Sequence, residues 1–276
     1  RKDLSAASDL YKGQTVSDID FIIFATSTPD FYAPGSGCVL QEKMGFNEIG
    51  ALDIRVQCSG FIYGLSIAEQ YIRTGNFKNI LLIGAEVQST AMNLTDEGRD
   101  TAIIFGDGAG AAIISATEEK RGILSTHMHS EGKYLKELWL EAPASNAGHP
   151  RITREVLDEG KQYLKMNGKE VFRHAITRFP EVINEALEAN NLTSENINLL
   201  IPHQANLRIT QMVQKRLGLS NDQVFSNIHK YGNTTAATIP IALAEAFNEG
   251  RIKEGDILVL AAFGAGFTWA SAIMKW

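Results

Sequence analysis

The sequence has 276 residues, which is enough for one large domain or for two halves of about 100 to 150 residues. Asp and Glu outnumber Lys and Arg by 32 to 26, and the resulting formal net charge of -6 argues against nucleic acid as the main partner. Only two cysteines, no signal peptide and no membrane-spanning apolar run are found, so we expect a reduced, cytoplasmic protein that does not insert into a membrane.

The first predicted element is a helix in KDLSAASDLY, and because no Met precedes it we expect further chain upstream. Short apolar runs rich in β-branched residues then alternate with amphipathic helices. In chain order these are a strand DFIIFAT, a helix near 36–45, a strand ALDIRVQ, a helix over 58–74 and a strand NILLIGAE. This alternation predicts an α/β protein with helices layered on a sheet.

The glycine-rich run FGDGAG follows at 105–110. A phosphate-binding glycine loop should open a helix, whereas the residues after this run, AAIIS, are typical of a strand. We therefore predict a tight hairpin that uses Asp107 and Gly108, and no nucleotide site.

A segment of Gly, Ser, Pro and charged residues at 118–170 is predicted to be a connecting insertion made largely of loop. It contains His127, His129 and His149. Histidines two residues apart can bind a metal, but no adjacent acidic or cysteine residue completes a ligand set. We interpret all three as loop histidines and expect no metal site.

The chain repeats itself at a nearly constant offset. DIDFIIFAT returns 178 residues later as NINLLIPHQ, QEKMGF returns 173 residues later as QKRLGL, and AEQYIRTGNFKNILLIGAE returns 176 residues later as AEAFNEGRIKEGDILVLAAFG. These matches predict a duplicated unit of strand, helix, strand, helix, strand, whose two copies share central helices. We divide the chain into a first half at 1–117, the insertion at 118–170 and a second half at 171–276.

Cys58 lies in DIRVQCSGFIYGL, between a predicted strand and a long apolar helix. Because unpaired N–H groups and the dipole at a helix start stabilise a thiolate, this placement predicts a nucleophile with a lowered pKa. A cysteine that only packs in the core is the alternative. His203, just after a strand, and Asn233, just before an apolar helix and opposite Cys58 in the duplication, favour the nucleophile. Cys38 has no such partners and is interpreted as a packed small residue.

The motifs CSGF, PHQANLRI, KYGNTTAATIP and AFGAGFTW, with the run FGDGAG, resemble the ketoacyl synthase III branch of the thiolase-like enzymes. The resemblance is collinear and extends over essentially the whole chain. It implies a five-layered αβαβα fold built from two duplicated halves, and an active site of Cys58, His203 and Asn233.

The resemblance also implies a reaction that starts fatty acid chains. An acyl-CoA acylates Cys58, and a malonyl group on acyl carrier protein then loses carbon dioxide and attacks the acyl-cysteine to give 3-oxoacyl-ACP. His203 and Asn233 would donate to the enolate oxygen, and the backbone N–H groups of Cys58 and Ala265 would form an oxyanion hole, which alanine allows if its φ is negative. No cofactor is implied, since the CoA thioester and the carrier phosphopantetheine are substrates.

Further roles follow from the same resemblance. Phe263 would pack beside the thiol, and Ala33 would reach into the acyl pocket of the partner subunit of a homodimer, where its small size leaves room for primers longer or more branched than acetyl. Arg208 and Lys215 lie seven residues apart on one helical face and could meet an acidic carrier protein, with Arg208 docking it by resemblance. Arg99 in EGRDTAI resembles the arginine that contacts the CoA nucleotide.

Two other functions remain open at this stage. A papain-like protease also carries Cys, His and Asn in this chain order, although it usually has disulfides and gives no role to the internal duplication. A specialised relative that acylates or extends secondary metabolites would carry the same motifs. A noncatalytic scaffold is disfavoured because all three site residues are present.

Overall fold

The computed structural model describes residues 15–147 and 150–276, so the predicted helix in KDLSAASDLY and His149 lie outside the described residues. The strands are β1 (Phe21–Ala25), β2 (Gly50–Ile54), β3 (Asn79–Glu86), β4 (Gly108–Ser115), β5 (Gly122–Ser130), β6 (Leu138–Trp139), β7 (Lys165–Met166), β8 (Leu199–Pro202), β9 (Ile257–Gly264) and β10 (Thr268–Lys275). The α-helices are α1 (Ser36–Met44), α2 (Gly60–Arg73), α3 (Arg99–Ala102), α4 (Arg154–Asp158), α5 (Gly168–Ala189), α6 (Leu207–Leu217), α7 (Ile228–Tyr231) and α8 (Thr238–Asn248). Within the described ranges, no helix has the length and apolar character needed to cross a membrane.

Two mixed sheets carry the fold, in the orders β2-β1-β3-β4 and β5-β10-β9-β8. β1 and β3 pair in parallel, as do β8 and β9. β4 then pairs antiparallel with β3, and β10 pairs antiparallel with β9. The two halves therefore share one topology, which confirms the predicted duplication. The counterpart of β2 in the second half is reduced to one bridge between Leu200 and Val224.

Alternate strand residues point to opposite faces, so each sheet has an inner and an outer face. The inner faces of the two sheets meet around α2 and α8. Ile23 and Leu82 of the first sheet pack with Phe61 of α2 and Ile239 of α8 in one central core. The other face of the first sheet packs against α1, with Ile22 buried there, and the outer face of the second sheet packs against α5 and α6. The five layers αβαβα are therefore confirmed.

The segment predicted to be a connecting insertion is partly sheet. Gly122–Ser130 forms the edge strand β5 and pairs antiparallel with β10, so it belongs to the second sheet. The interpretation as loop was wrong because the strand carries polar side chains: His127 and His129 contact the carboxylate of Glu185 at 3.1 and 2.6 Å. Such a strand lacks the apolar alternation that identifies β-structure in a sequence.

The predicted hairpin at Asp107 and Gly108 is also wrong. Gly108 begins β4, but its partner strand β3 already ends at Glu86, and helical turns occupy part of the connection. The run before β4 instead contacts the second half, where the Gly106 N–H donates to the Asn233 carbonyl at 3.0 Å. The glycine-rich run therefore ties the first half to Asn233.

The loops that lead into α2 and α8 meet above β3. Ala236 lies in the 3-10 turn Thr235–Ala237, and a Cβ added to Gly84 of β3 would lie 2.3 Å from the Ala236 carbonyl oxygen. A Cβ added to Gly60, at the start of α2, would lie 3.4 Å from the Ala236 Cβ. Gly84 therefore allows the turn before α8 to rest on the backbone of β3.

We predict that Gly84→Ala lowers the free energy of unfolding by about 1 to 3 kcal/mol, because the added methyl group must displace a backbone carbonyl. Denaturant titration measures this difference. Gly132→Ala is the matched control, since a Cβ at Gly132 meets no atom within 4 Å and the residue is exposed. Equal unfolding midpoints for the two variants would contradict the predicted overpacking.

Candidate active site

Cys58 lies in the 3-10 turn Gln57–Ser59, which leads directly into α2, and only 4% of the residue is exposed. The end of β9 closes over it: a Cβ added to Gly264 would lie 2.5 Å from the Cys58 Cβ and 2.7 Å from its Sγ. Any larger residue than glycine would displace the thiol. Gly264 is a site residue that our sequence reasoning did not single out, although it stands in the motif AFGAGFTW.

The predicted lowering of the thiol pKa is wrong for the free protein. Burial, and after it the charge of Glu86, raise the pKa of Cys58 to about 12. The backbone N–H groups of Ala265 and of Cys58 itself favour the thiolate and act in the opposite direction on this pKa. The resting thiol is therefore protonated. Ala265 is not among the described non-glycine residues with positive φ, so alanine is compatible with this backbone.

Glu86 is a buried carboxylate close to the thiol and is 3% exposed. It accepts hydrogen bonds from the Ser27 N–H at 3.1 Å and from the Thr28 hydroxyl at 2.7 Å. Burial raises the pKa of Glu86, while these hydrogen bonds lower it. The carboxylate fixes the loop after β1, which forms part of the wall beside Cys58.

His203 follows β8 directly and is 1% exposed. Its Nδ1 lies 2.6 Å from the Thr238 hydroxyl oxygen, and its buried Nε2 has no hydrogen-bond partner among the described residues. Burial lowers the pKa of His203 to about 3, so the imidazole is neutral near pH 7. Because buried polar atoms are nearly always paired and His203 lines a cavity, Nε2 is available to a water molecule or a ligand there.

Asn233 precedes the 3-10 turn Thr235–Ala237 and is also buried. Its Oδ1 accepts a hydrogen bond from the Thr235 N–H at 2.9 Å, so the amide group has its oxygen occupied and its Nδ2 available to donate. The Asn233 N–H donates to the Ile104 carbonyl at 2.9 Å. The Oδ1 contact therefore orients the side-chain amide, while the backbone contact fixes the position of the residue.

The structure brings these three residues together. Cys58, His203 and Asn233 line one cavity of about 330 Å³, which we call the first cavity, together with Phe263 and Arg208. A second cavity of about 590 Å³ also reaches Cys58. It is lined by polar and apolar side chains that include Ser27, Thr28, Gln88, Trp139, Leu164 and Thr235. Cys58 therefore lies where the two cavities adjoin.

The predicted surface residues lie at different distances from this centre. Arg208 is exposed and lines the first cavity, whereas Lys215 is exposed farther along α6 and lines neither cavity. Arg99 is exposed, forms an ion pair with Asp96 at 2.7 Å and also lines neither cavity. Its role toward CoA stays a prediction, as do the roles of Arg208 and Lys215.

Ala33 is exposed and lines neither cavity of its own chain, so its predicted role in a partner subunit stays a prediction. Cys38 is exposed on α1, and its interpretation as a packed residue was therefore wrong. In the part of the chain that the structure describes, no three His, Cys, Asp or Glu side chains are arranged to bind a metal.

Comparison with known proteins assigns the chain to a family. Residues 52–132 match the family model of 3-oxoacyl-[acyl-carrier-protein (ACP)] synthase III, and residues 187–276 match the model of its C-terminal part. The β-ketoacyl-[acyl-carrier-protein] synthase III of Caldanaerobacter subterraneus is 46% identical over 94% of this chain and 77% of the relative. The corresponding protein of Clostridioides difficile is 46% identical over 95% of this chain and 78% of the relative.

A solved structure agrees with these sequences. The crystal structure of 3-oxoacyl-[acyl-carrier-protein] synthase III from Aquifex aeolicus superimposes with a TM-score of 0.85 at 40% identity, covering 95% of this chain and 79% of that one. Sequence identity at this level over most of both chains, together with the shared fold, goes beyond a likeness of topology. The chain belongs to the 3-oxoacyl-[acyl-carrier-protein] synthase III family of thiolase-like enzymes.

Proposed function

We propose that this protein is the condensing enzyme that starts fatty acid chains, joining an acyl-CoA primer to malonyl-ACP. The observation that supports this most directly is the position of Cys58, which lines both cavities. One cavity can receive the arm that carries a thioester while the other holds the acyl chain. The relatives that bear the name of this activity are 46% identical to the chain.

The first half-reaction transfers the primer to the thiol. The Cys58 sulfur attacks the thioester carbonyl, a new C–S bond forms, the bond to the CoA sulfur breaks, and the thiol proton ends on the released CoA. Backbone N–H groups of Cys58 and Ala265 donate to the carbonyl oxygen as negative charge develops there. Both groups are fixed in the backbone, so no reorganisation is needed at that moment.

The second half-reaction condenses the acyl group with malonyl-ACP. Carbon dioxide leaves, and the electron pair of the broken C–C bond forms an enolate whose oxygen receives hydrogen bonds from His203 and Asn233. These side chains suit this role because both are neutral: His203 Nε2 has no partner among the described residues, and Asn233 accepts at its Oδ1 and so has its Nδ2 to donate. The enolate carbon then attacks acyl-Cys58, and the thiolate leaves and regains a proton.

The hydrogen bonds also argue against a cysteine protease. In a Cys-His-Asn protease the base is oriented by its third partner, which would be asparagine. Here the Nδ1 of His203 contacts Thr238, while the side-chain oxygen of Asn233 accepts from the Thr235 N–H. His203 and Asn233 therefore act side by side on one ligand rather than in series. Nothing in the cavities favours a secondary-metabolite substrate over a fatty acyl primer.

We further propose that the enzyme works in the cytoplasm as a homodimer without a cofactor, with Arg99 contacting CoA and Arg208 and Lys215 docking the acidic carrier protein. Arg208 suits this role because it is exposed and lines the first cavity, beside which a carrier protein must deliver its arm. Both cysteines are free thiols, as expected in a reducing compartment.

We predict that His203→Ala and Asn233→Ala still gain the acyl mass from acyl-CoA but lose condensation by roughly 10² to 10³, the usual effect of removing one oxyanion donor. Intact-protein mass spectrometry follows the acyl group, and product formation follows condensation. Cys58→Ala should gain no acyl mass, and Cys58→Ser should acylate poorly because a hydroxyl is a much weaker nucleophile than a thiol and is harder to deprotonate. The matched control is Asn227→Ala, since Asn227 is buried, donates to Glu245 at 2.9 Å and lines neither cavity. Loss of acylation with decarboxylation intact would reverse the assigned roles.

We predict that alkylation of Cys58 by iodoacetamide accelerates about tenfold per pH unit from about pH 6 to pH 9, without a plateau. Only the thiolate reacts, and because the pKa of Cys58 is raised to about 12 its fraction keeps growing throughout this window. Peptide mapping separates Cys58 from the exposed Cys38. Glu86→Gln should speed the reaction at each pH, because it removes the second cause of the raised pKa. A plateau near neutral pH would contradict the protonated resting thiol.

We predict that primers of four to eight carbons are accepted at least as well as acetyl-CoA, because a small Ala33 from the partner leaves space and each buried CH₂ contributes about 0.8 kcal/mol. The measurement is the ratio of kcat/KM for the long and short primers in wild type and in Ala33→Phe, which should shift the ratio toward acetyl. Light scattering must first give twice the subunit mass. A strong acetyl preference that Ala33→Phe leaves unchanged would remove Ala33 from the pocket.

A further inference from the structure

The Thr238 hydroxyl stands between two acceptors but has only one proton. Its oxygen lies 2.6 Å from the Nδ1 of His203 and 3.0 Å from the carbonyl oxygen of Thr235. If the proton is donated to the Thr235 carbonyl, Nδ1 must carry a proton of its own and Nε2 is a bare lone pair. If the proton is donated to Nδ1, the neutral imidazole carries its proton on Nε2.

The distances favour donation to Nδ1. Hydrogen bonds given by a hydroxyl are most often about 2.7 to 2.8 Å long, whereas those given by an N–H are most often about 2.9 to 3.0 Å. The 2.6 Å contact with His203 therefore resembles a bond that the hydroxyl donates. The 3.0 Å contact with the Thr235 carbonyl is long for a hydroxyl donor.

The Thr235 carbonyl does not need the hydroxyl, because it already accepts the backbone N–H of Thr238. His203 has no comparable alternative, since Thr238 is the partner of its Nδ1 within the described chain and the ring is almost completely buried. In the tautomer that leaves a lone pair on Nδ1, the Thr238 hydroxyl is the donor that keeps this buried acceptor paired.

Thr235 links this arrangement to the second donor. It has a φ of 51°, a left-handed conformation that is rare for a threonine, and it is buried. In this conformation its N–H donates to the Oδ1 of Asn233 while its carbonyl accepts from Thr238. Thr235 thus contacts Asn233 directly and contacts Thr238, the partner of His203. Its strained backbone agrees with the concentration of such strain at functional sites.

We propose that Thr238 is a positioning residue that donates its hydroxyl proton to His203 Nδ1 and thereby presents His203 to the first cavity as the Nε2–H tautomer. Thr235 holds the carboxamide of Asn233 in the matching orientation, so that two N–H donors face one ligand oxygen. The consequence for catalysis rests on the proposed function. With the other tautomer, a lone pair on Nε2 would repel the enolate oxygen that it has to stabilise.

The first part of the test does not depend on activity. In nitrogen-15 NMR of protein labelled at histidine, the signals of His203, assigned by their loss in His203→Gln, report which ring nitrogen carries the proton. We expect Nε2 protonated and Nδ1 unprotonated in the wild-type protein. A proton on Nδ1 would overturn the proposal, even if the enzyme condenses malonyl-ACP normally.

The second part separates positioning from packing by three variants. Thr238→Val keeps the shape and removes the hydroxyl; it should still acylate Cys58 but lose malonyl decarboxylation by roughly 10², and Thr238→Ser should recover most of that loss. Thr234→Val is the matched control, because Thr234 is also fully buried and its hydroxyl has no hydrogen-bond partner among the described residues.

Full decarboxylation by Thr238→Val, or an equal loss in Thr234→Val, would overturn the proposal. So would a loss of both half-reactions in Thr238→Val, which indicates a general structural defect. A wild-type protein that neither acylates nor decarboxylates would instead contradict the proposed function, and the tautomer of His203 would still decide the positioning role of Thr238.

Discussion

The close contact between the turn before α8 and the backbone of β3 is the constraint on which the active site depends. Ala236 rests on Gly84, where a single added carbon would lie 2.3 Å from a carbonyl oxygen. Because the turn before α2 also packs against Ala236, the two central helices begin next to each other, one from each half of the duplication. Cys58 comes from the first of these turns and Asn233 stands just before the second. The fold thus brings together residues that are 175 positions apart in the chain.

Burial determines the chemical state of the site. The thiol is protonated and the imidazole is neutral, because removal from water raises the pKa of Cys58 and lowers that of His203. In the proposed reaction, negative charge on the two thioester oxygens therefore develops only as bonds are made and broken, and fixed N–H groups would meet it there. A site of this kind works by hydrogen bonds that are already oriented, and the proposed roles of Thr235 and Thr238 are to orient them.

The sequence predicted the duplication and favoured the grouping of Cys58, His203 and Asn233, because buried strands and residues at helix starts leave strong local patterns, whereas the five layers were implied by the family resemblance. It failed for β5, whose polar edge lacks that pattern, and for FGDGAG, whose glycines serve close packing between halves rather than a turn. The shift of the Cys58 pKa was predicted in the wrong direction. The helix start was visible in the sequence, whereas the burial of Cys58 and the closeness of Glu86 to its thiol were not. Gly264 and Thr238 act through tertiary contacts, which a single sequence does not reveal.

The central claim is that Cys58 holds the acyl group between two half-reactions, with one cavity receiving the thioester arm and the other holding the acyl chain. The most direct measurement is a single turnover. The acylated wild-type protein is freed of excess acyl-CoA and mixed with malonyl-ACP, and the masses of both proteins are followed over time by mass spectrometry. The acyl mass should leave the Cys58 peptide and appear on the carrier protein as a 3-oxoacyl group two carbons longer, with release of one carbon dioxide. Loss of the acyl group to water, or its transfer to the carrier without extension, would contradict this account.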